Sequence, residues 1–410
     1  MMGKFANRLP AKQPGSVYVF LATLAFLLSA CAPSSGIFAG GSWQASALQN
    51  QHLQVLAVDP DHLRNIYAGD AQNGVFISTD AGMTWKPSNT GLSLPLNIHA
   101  LSFDIPGKQL YAATSTGLFV SSDSAAHWHA VEGVPSDRYT TLTFDINSPH
   151  TVYAGTEHSG VLKSTDDGIS WTHVSTGLPS GALTSLLYDP SQKQLWAAFT
   201  DALYRSDDGG ASWHAMSNGI PPNAGINALA LGAVTVSNTG LIFAGTQHGF
   251  FRTSDAGQHW SQSQFSLANL HIYAILLDAN SPNTVYISTN IGVLRSRDSG
   301  QNWDQLGSGL PEGQSIGGLA QGSDSNSRLF AAARGVYFYP GSGGIFNPAQ
   351  LVPTVLVLLF FYLLYRFFVA GRRRSALRPA DGLETHEQPG DPTGENMNSP
   401  GLHPSEDAHQ

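Results

Sequence analysis

The chain has 410 residues, 42% of them apolar and only 12% charged, with 43 glycines and 23 prolines. That balance suits many short strands and tight turns rather than long amphipathic helices. Lys plus Arg is 20 against 29 for Asp plus Glu, a net charge of −9 that argues against nucleic acid as a partner, and the single cysteine excludes a disulfide framework or a multi-cysteine metal site.

Lys4, Arg8 and Lys12 precede an apolar run of 13 residues, Val17 to Ser29. The run is short for a membrane span and right for the apolar core of a signal peptide. It ends in Leu28-Ser29-Ala30-Cys31, which resembles a bacterial lipobox, where the cysteine is acylated and becomes the mature N-terminus. Residues 1–31 are therefore expected to be a signal peptide with Cys31 as its lipidation site. The competing readings are an ordinary signal peptide and an uncleaved anchor.

From residue 40 onward one pattern recurs, Ser/Thr-x-Asp-x-Gly-x-x-Trp. It reads Ser78, Asp80, Gly82, Trp85; then Ser121, Asp123, Trp128, with Ala125 in the glycine place; then Ser164, Asp166, Gly168, Trp171. Ser206, Asp208, Gly210, Trp213 follow, then Thr253, Asp255, Gly257, Trp260, and Ser296, Asp298, Gly300, Trp303. With Trp43, the tryptophans are spaced 42, 43, 43, 42, 47 and 43 residues apart. A period this regular is a repeat architecture, and its length suits a four-stranded propeller blade. Between the boxes lie short β-branched and aromatic runs such as Ile66-Tyr67-Ala68-Gly69 and Thr151-Val152-Tyr153-Ala154, punctuated by turn residues. Within the motif, a carboxylate and a hydroxyl can bond the turn's own N–H groups. The glycine supplies a positive φ, and the tryptophan is expected to fold over the turn.

These motifs resemble Asp-box, or BNR, repeats, such as those of sialidases, sortilin-type receptors, xyloglucanase-like glycosidases and the photosystem II assembly-factor family. The resemblance covers about residues 40–340 and implies an all-β, seven-bladed β-propeller. It does not imply one activity, because such folds carry both enzymes and binders. Six boxes close six blades. Ile316 to Tyr339 supplies three strands of a seventh, and Trp43-Gln44-Ala45-Ser46 supplies a fourth strand with nothing before it. Trp43 is thus expected to close the ring and to remove two open sheet edges.

In such a propeller the Asp-box corner lies opposite the loops that usually bind. Those loops carry Glu157, His158, Asp201, His248, Asn290 and Arg334, the candidate binding face. Asp70, Glu132, Asp137 and Glu312 map to the same end, but no long insertion builds a cleft around a pair of carboxylates, as glycoside hydrolysis needs. A sialidase would also carry an Arg-Ile-Pro motif and an arginine triad, and no Arg-Ile-Pro is present. No catalytic residue, metal site or cofactor is therefore assigned. Lys163, Arg205, Arg252 and Arg295 each precede the Ser or Thr of a box. They suggest a basic stripe for an acidic partner, or else alkyl stems that cover the blade.

Leu351 to Val369 is a second apolar run, of 19 residues, followed by Arg372-Arg373-Arg374. Its length matches the hydrocarbon core, and the arginines place its far end in the cytoplasm. The expected organisation is a signal peptide (1–31), an extracytoplasmic propeller (32–340), a linker (341–350), a transmembrane helix (351–370) and a cytoplasmic tail (371–410). The tail holds five prolines and seven acids in residues 375–410 and lacks the apolar groups to bury a core. The expected function is a scaffold in the bacterial cell membrane that binds protein. The alternative is a cell-surface glycoside hydrolase, sialidase-like or xyloglucanase-like, or a non-catalytic glycan-binding module.

Overall fold

The computed structural model describes residues 41–340 apart from 105–107, 233–239, 264–269 and 323–327. The chain divides into two compact units, residues 1–345 and 346–410, and all described residues belong to the first. The expected signal peptide with Cys31, the linker, the transmembrane helix and the tail lie outside the described residues.

Seven four-stranded antiparallel sheets form seven blades. Blade 1 takes its strands in order from Leu53–Val58, Ile66–Asp70, Val75–Ser78 and Lys86–Pro87. Blades 2 to 6 repeat this plan. Blade 7 takes three strands from the end of the propeller, Gly318–Gln321, Leu329–Ala332 and Gly335–Tyr339, and its outermost strand from the beginning, Gln44–Gln49. The pairing is antiparallel, with Gln44 opposite Phe338 and Ala45 opposite Tyr337. The ring therefore closes as the two sequence fragments require, and no blade is left with three strands.

Burial follows strand position. The second strands are buried at every residue in blades 1, 2, 3, 5 and 6, because each is sandwiched between neighbouring blades. The outermost strands of blades 1 to 6 are two residues long and exposed. The core accordingly lies between blades. Tyr67, Val75 and Ile77 of blade 1 pack on Ile98, Leu110 and Trp128 of blade 2. Tyr286 and Val293 of blade 6 pack on Trp43 and Leu329 of blade 7. Between blades 7 and 1 the approach is backbone to backbone, since a Cβ on Gly317 would lie 3.1 Å from Gln54 Cα.

The tryptophans depart from the expectation that each folds over its own turn. The indole N–H groups of Trp85 and Trp171 do so, donating to the Gly82 and Gly168 carbonyls at 3.1 and 2.9 Å. Those of Trp43, Trp128, Trp213 and Trp260 instead reach the preceding blade and donate to the carbonyls of Leu306, Ser88, Val174 and Met216 at 2.7 to 2.8 Å. Trp303 does both, through Ser263 Oγ and the Gly300 carbonyl. The difference shows in burial: Trp43 is 4% exposed and fully inside, while Trp85 and Trp171 are only half-buried.

Candidate functional site

Five aspartates close the turn after a first strand. Asp59, Asp145 and Asp189 each accept two following backbone N–H groups, and among the described residues Asp104 accepts that of Gln109 and Asp278 that of Asn280. The box carboxylates are spent in the same way. Asp80 Oδ1 accepts the Ser78 hydroxyl at 2.8 Å and the Thr84 N–H at 2.8 Å, while Oδ2 accepts the Thr84 hydroxyl. Burial raises the Asp80 carboxyl, and the bonds from Thr84, Ser78 and Met83 outweigh it, leaving it lowered to about 2. The residue before each box tryptophan supplies the Oδ2 partner throughout: Thr84, His127, Ser170, Ser212, His259 and Asn302. No box carboxylate is left for chemistry.

The four cations of the expected basic stripe are also engaged. Lys163, Arg205 and Arg252 donate to the carbonyls of Gly209, Ala256 and Ser299, each the residue after the box aspartate of the next blade. Arg295 Nη2 pairs with Asp304 at 2.7 Å. The Lys163 ammonium and the Arg205 guanidinium lie over the Tyr153 and Trp196 rings. Lys163, Arg205 and Arg252 thus bond one blade to the next, while Arg295 stays within blade 6.

A cavity of about 810 Å³ opens at the other end, where the first strands begin. Each first strand of blades 1 to 6 has a register shift at its second residue, as between Leu53 and Val55 or Ile98 and Ala100. The extra residue of such a bulge re-aims one side chain. Those residues are Gln54, His99, Thr140, Thr184, Asn227 and Tyr273, with Gly317 at the same place in blade 7, and all seven line the cavity. They form a hoop of hydrogen-bonding groups without a carboxylate.

Arg138 and Arg334 add positive charge to the rim, and no Asp or Glu is among the described residues that line it. They come from blades 3 and 7, as far apart as a seven-fold ring allows. Arg138 Nε donates to His99 Nε2 at 3.0 Å, and its Nη1 lies 3.6 Å from Glu157 Oε2. Burial first, and the Arg138 charge second, lower His99 to about 4, so its ring stays neutral and accepts the bond. Arg334 is exposed.

The predicted binding-face residues all stand on turns between second and third strands, in blades 3 to 7. Arg334 alone of the six lines the cavity. Glu157 reaches it through Arg138. His158 sits 3.1 Å from the Asp137 carboxylate, which is 4% exposed and also accepts the His158 and Ser159 N–H groups. Asn290 Oδ1 accepts the His271 N–H, and Asp201 and His248 are exposed. Asp70 is buried and accepts three backbone N–H groups, from His52, Gln72 and Asn73. The hoop itself was not singled out from sequence. Its one signal is a polar residue directly after the first apolar residue of six of the seven first strands.

Comparison with known proteins agrees with this architecture. The BNR/Asp-box repeat family model matches residues 76–87. No curated protein matches the chain. Among solved structures, the GH74 xyloglucanase from Xanthomonas campestris superposes with a TM-score of 0.58 at 16% identity, over 73% of this chain and 54% of the enzyme. The chain thus spans about half of that enzyme's length. YCF48 from Cyanidioschyzon merolae gives 0.57 at 15% identity, over 74% of this chain and 100% of YCF48. The extracellular domain of a putative hybrid two component system, BT4673 from B. thetaiotaomicron, gives 0.60 at 16% identity, over 73% and 39%. At these identities the likeness is one of fold. Boxes, blade count and ring closure together make this chain a seven-bladed β-propeller of BNR/Asp-box repeats.

Proposed function

We propose that the protein is a membrane-anchored extracytoplasmic scaffold that binds a protein segment at the channel mouth. The observation that carries this reading is the mouth itself: a cavity of about 810 Å³ ringed by amide, hydroxyl and imidazole groups, with two guanidiniums and no carboxylate. Amide and hydroxyl side chains suit the N–H and C=O groups of an extended peptide, and guanidiniums suit its carboxylates. A propeller of the same fold, YCF48, has a structure described as bound to D1 peptide, at 14% identity to this chain. In this reading Cys31 carries a lipid, residues 351–370 cross the bacterial cell membrane, and residues 371–410 are cytoplasmic.

The alternative is a glycan-directed role, to which the GH74 neighbour lends a precedent of fold. Hydrolysis needs two carboxylates across a cleft. Glu157 is paired with Arg138, and Asp137 and Asp70 with backbone N–H groups, which leaves Glu312, exposed beside the lining residue Gly313, as the acid such a reading would start from. The test is crosslinking from the mouth. A photoreactive residue at Gln54 in the full chain, expressed in membranes, should capture a protein partner, and Arg334→Ala should weaken the capture. Release of sugar from sialosides or glucans by the purified chain, with no protein captured, would replace this reading with the second.

A further inference from the structure

Five large apolar side chains are strongly exposed among the described residues: Met83, Leu94, Ile146, Ile169 and Ile291. Leu94 and Ile291 stand singly on the mouth side, in different blades. Met83 and Ile169, 66% and 80% exposed, occupy one and the same box position in blades 1 and 3. The other boxes carry Ala126, Ala211, Gln258 and Gln301 there. Each of the two stands two residues before Trp85 or Trp171, the only half-buried box tryptophans. Ile146 lies on the turn after the first strand of blade 3, at the Asp-box end of the same blade. Alternation of strand direction puts that turn and the box turn on one face, and the Asp167 N–H donates to the His150 carbonyl across them.

The chain leaves the propeller on this face. The Trp43 and Tyr339 rings are 5.4 Å apart, so both ends of the ring emerge together at blade 7. Blade 7 adjoins blade 1 and stands across the disc from blade 3. From Tyr339 to Leu351, where the apolar run begins, is 12 residues, at most about 40 Å of chain.

We propose that the Asp-box face of blades 1 and 3 seats on a lipid bilayer, with Met83, Ile146 and Ile169 entering the interface and Trp85 and Trp171 at headgroup level. Aliphatic tips beside tryptophans are the side chains that favour this zone. The face also carries the ionised box carboxylates, so the lipid is zwitterionic rather than anionic. The opposite face, with the channel mouth, then points away from the membrane.

The full chain with Cys31→Ser would be reconstituted into phosphatidylcholine vesicles that include a shallow nitroxide-labelled lipid. Single cysteines at Met83, Ile169 and His158, all surface positions, would carry an environment-sensitive fluorophore. Seating predicts quenching of roughly two-fold or more at 83 and 169 and little at 158. Equal quenching at all three positions, or none at 83 and 169, overturns the proposal. Hydrogen exchange of the unlabelled chain gives a second reading: residues 83–85 and 169–171 should exchange more slowly in vesicles than in detergent. Unchanged exchange there counts against seating.

Discussion

The Trp43 indole N–H donates to the Leu306 carbonyl at 2.7 Å, across 263 residues of sequence. The Trp43 main-chain N–H donates to the Ser308 carbonyl at 2.8 Å beside it. One residue thereby fastens the first strand of the propeller to blade 6 while its neighbours pair with blade 7. Trp43→Ala should cost about 3–5 kcal/mol, the range for truncating a buried aromatic. Trp43→Phe, which keeps most of the packing and orphans the Leu306 carbonyl, should cost about 1–3 kcal/mol. Urea unfolding of both variants measures this, and an unchanged midpoint for Trp43→Ala would show that closure does not depend on the indole.

The same stitch recurs elsewhere. The main-chain N–H groups of Trp128, Trp213 and Trp260 donate to the carbonyls of Thr90, Thr176 and Asn218. The residue after each acceptor is a glycine, and a Cβ on Gly91 (φ +94°) would collide with the Trp128 carbonyl oxygen. Gly133 (φ +72°), after the outer strand of blade 2, has nothing within 4 Å of such a Cβ. Gly133→Ala therefore bears only the left-handed backbone cost, about 1 kcal/mol. Gly91→Ala adds a clash that must push neighbouring blades apart, about 3 kcal/mol in all. Thermal melts of the two variants should separate clearly, and equal shifts would remove the stitch as an explanation.

The propeller was legible because its period is written in residues with few substitutes. Asp, Gly and Trp hold each corner, and the Trp43 fragment keeps the Gly-x-x-Trp end of the motif without strands before it. The reach of each indole was not legible, since Trp128 and Trp171 carry similar local sequence yet bond to different blades. The partner of each box Oδ2 was missed because Thr, Ser, His and Asn all serve there. The hoop was missed for a different reason. A bulge changes which face a side chain takes, so strict alternation misassigns Gln54 or Asn227. Nothing in the order of residues brings Arg138 to His99, 39 positions away in the preceding blade.

Arg138 and Arg334 should behave differently when removed. Arg138 is tied to His99 and Glu157, and Arg138→Ala leaves both without it. That variant should lose about 1 kcal/mol of stability as well as partner capture. Arg334→Ala, at an exposed turn, should keep the melting temperature of the parent and lose capture alone. A large stability loss in Arg334→Ala would place that side chain in the fold rather than at the binding surface.

His99 makes the stability of the propeller depend on pH with a sign that can be worked out. Its ring is held at about 4 against an ordinary 6.5, so the unfolded chain binds the extra proton first. The His99 contribution is then complete above pH 6.5 and falls as the pH drops from 6.5 to 4. His158 runs the other way. Asp137 raises it, and its contribution is present below 6.5 and lost as the pH rises beyond. The carboxylates of Asp80, Asp123 and Asp255, lowered from 3.8 to about 2, add a second loss between pH 4 and 2. His99→Gln keeps an acceptor for Arg138 and cannot titrate. It should flatten the decline between pH 6.5 and 4 while leaving the steep loss below 4 intact. Urea midpoints at the ends of both windows measure this. A decline between 6.5 and 4 that persists in His99→Gln would assign it to another group.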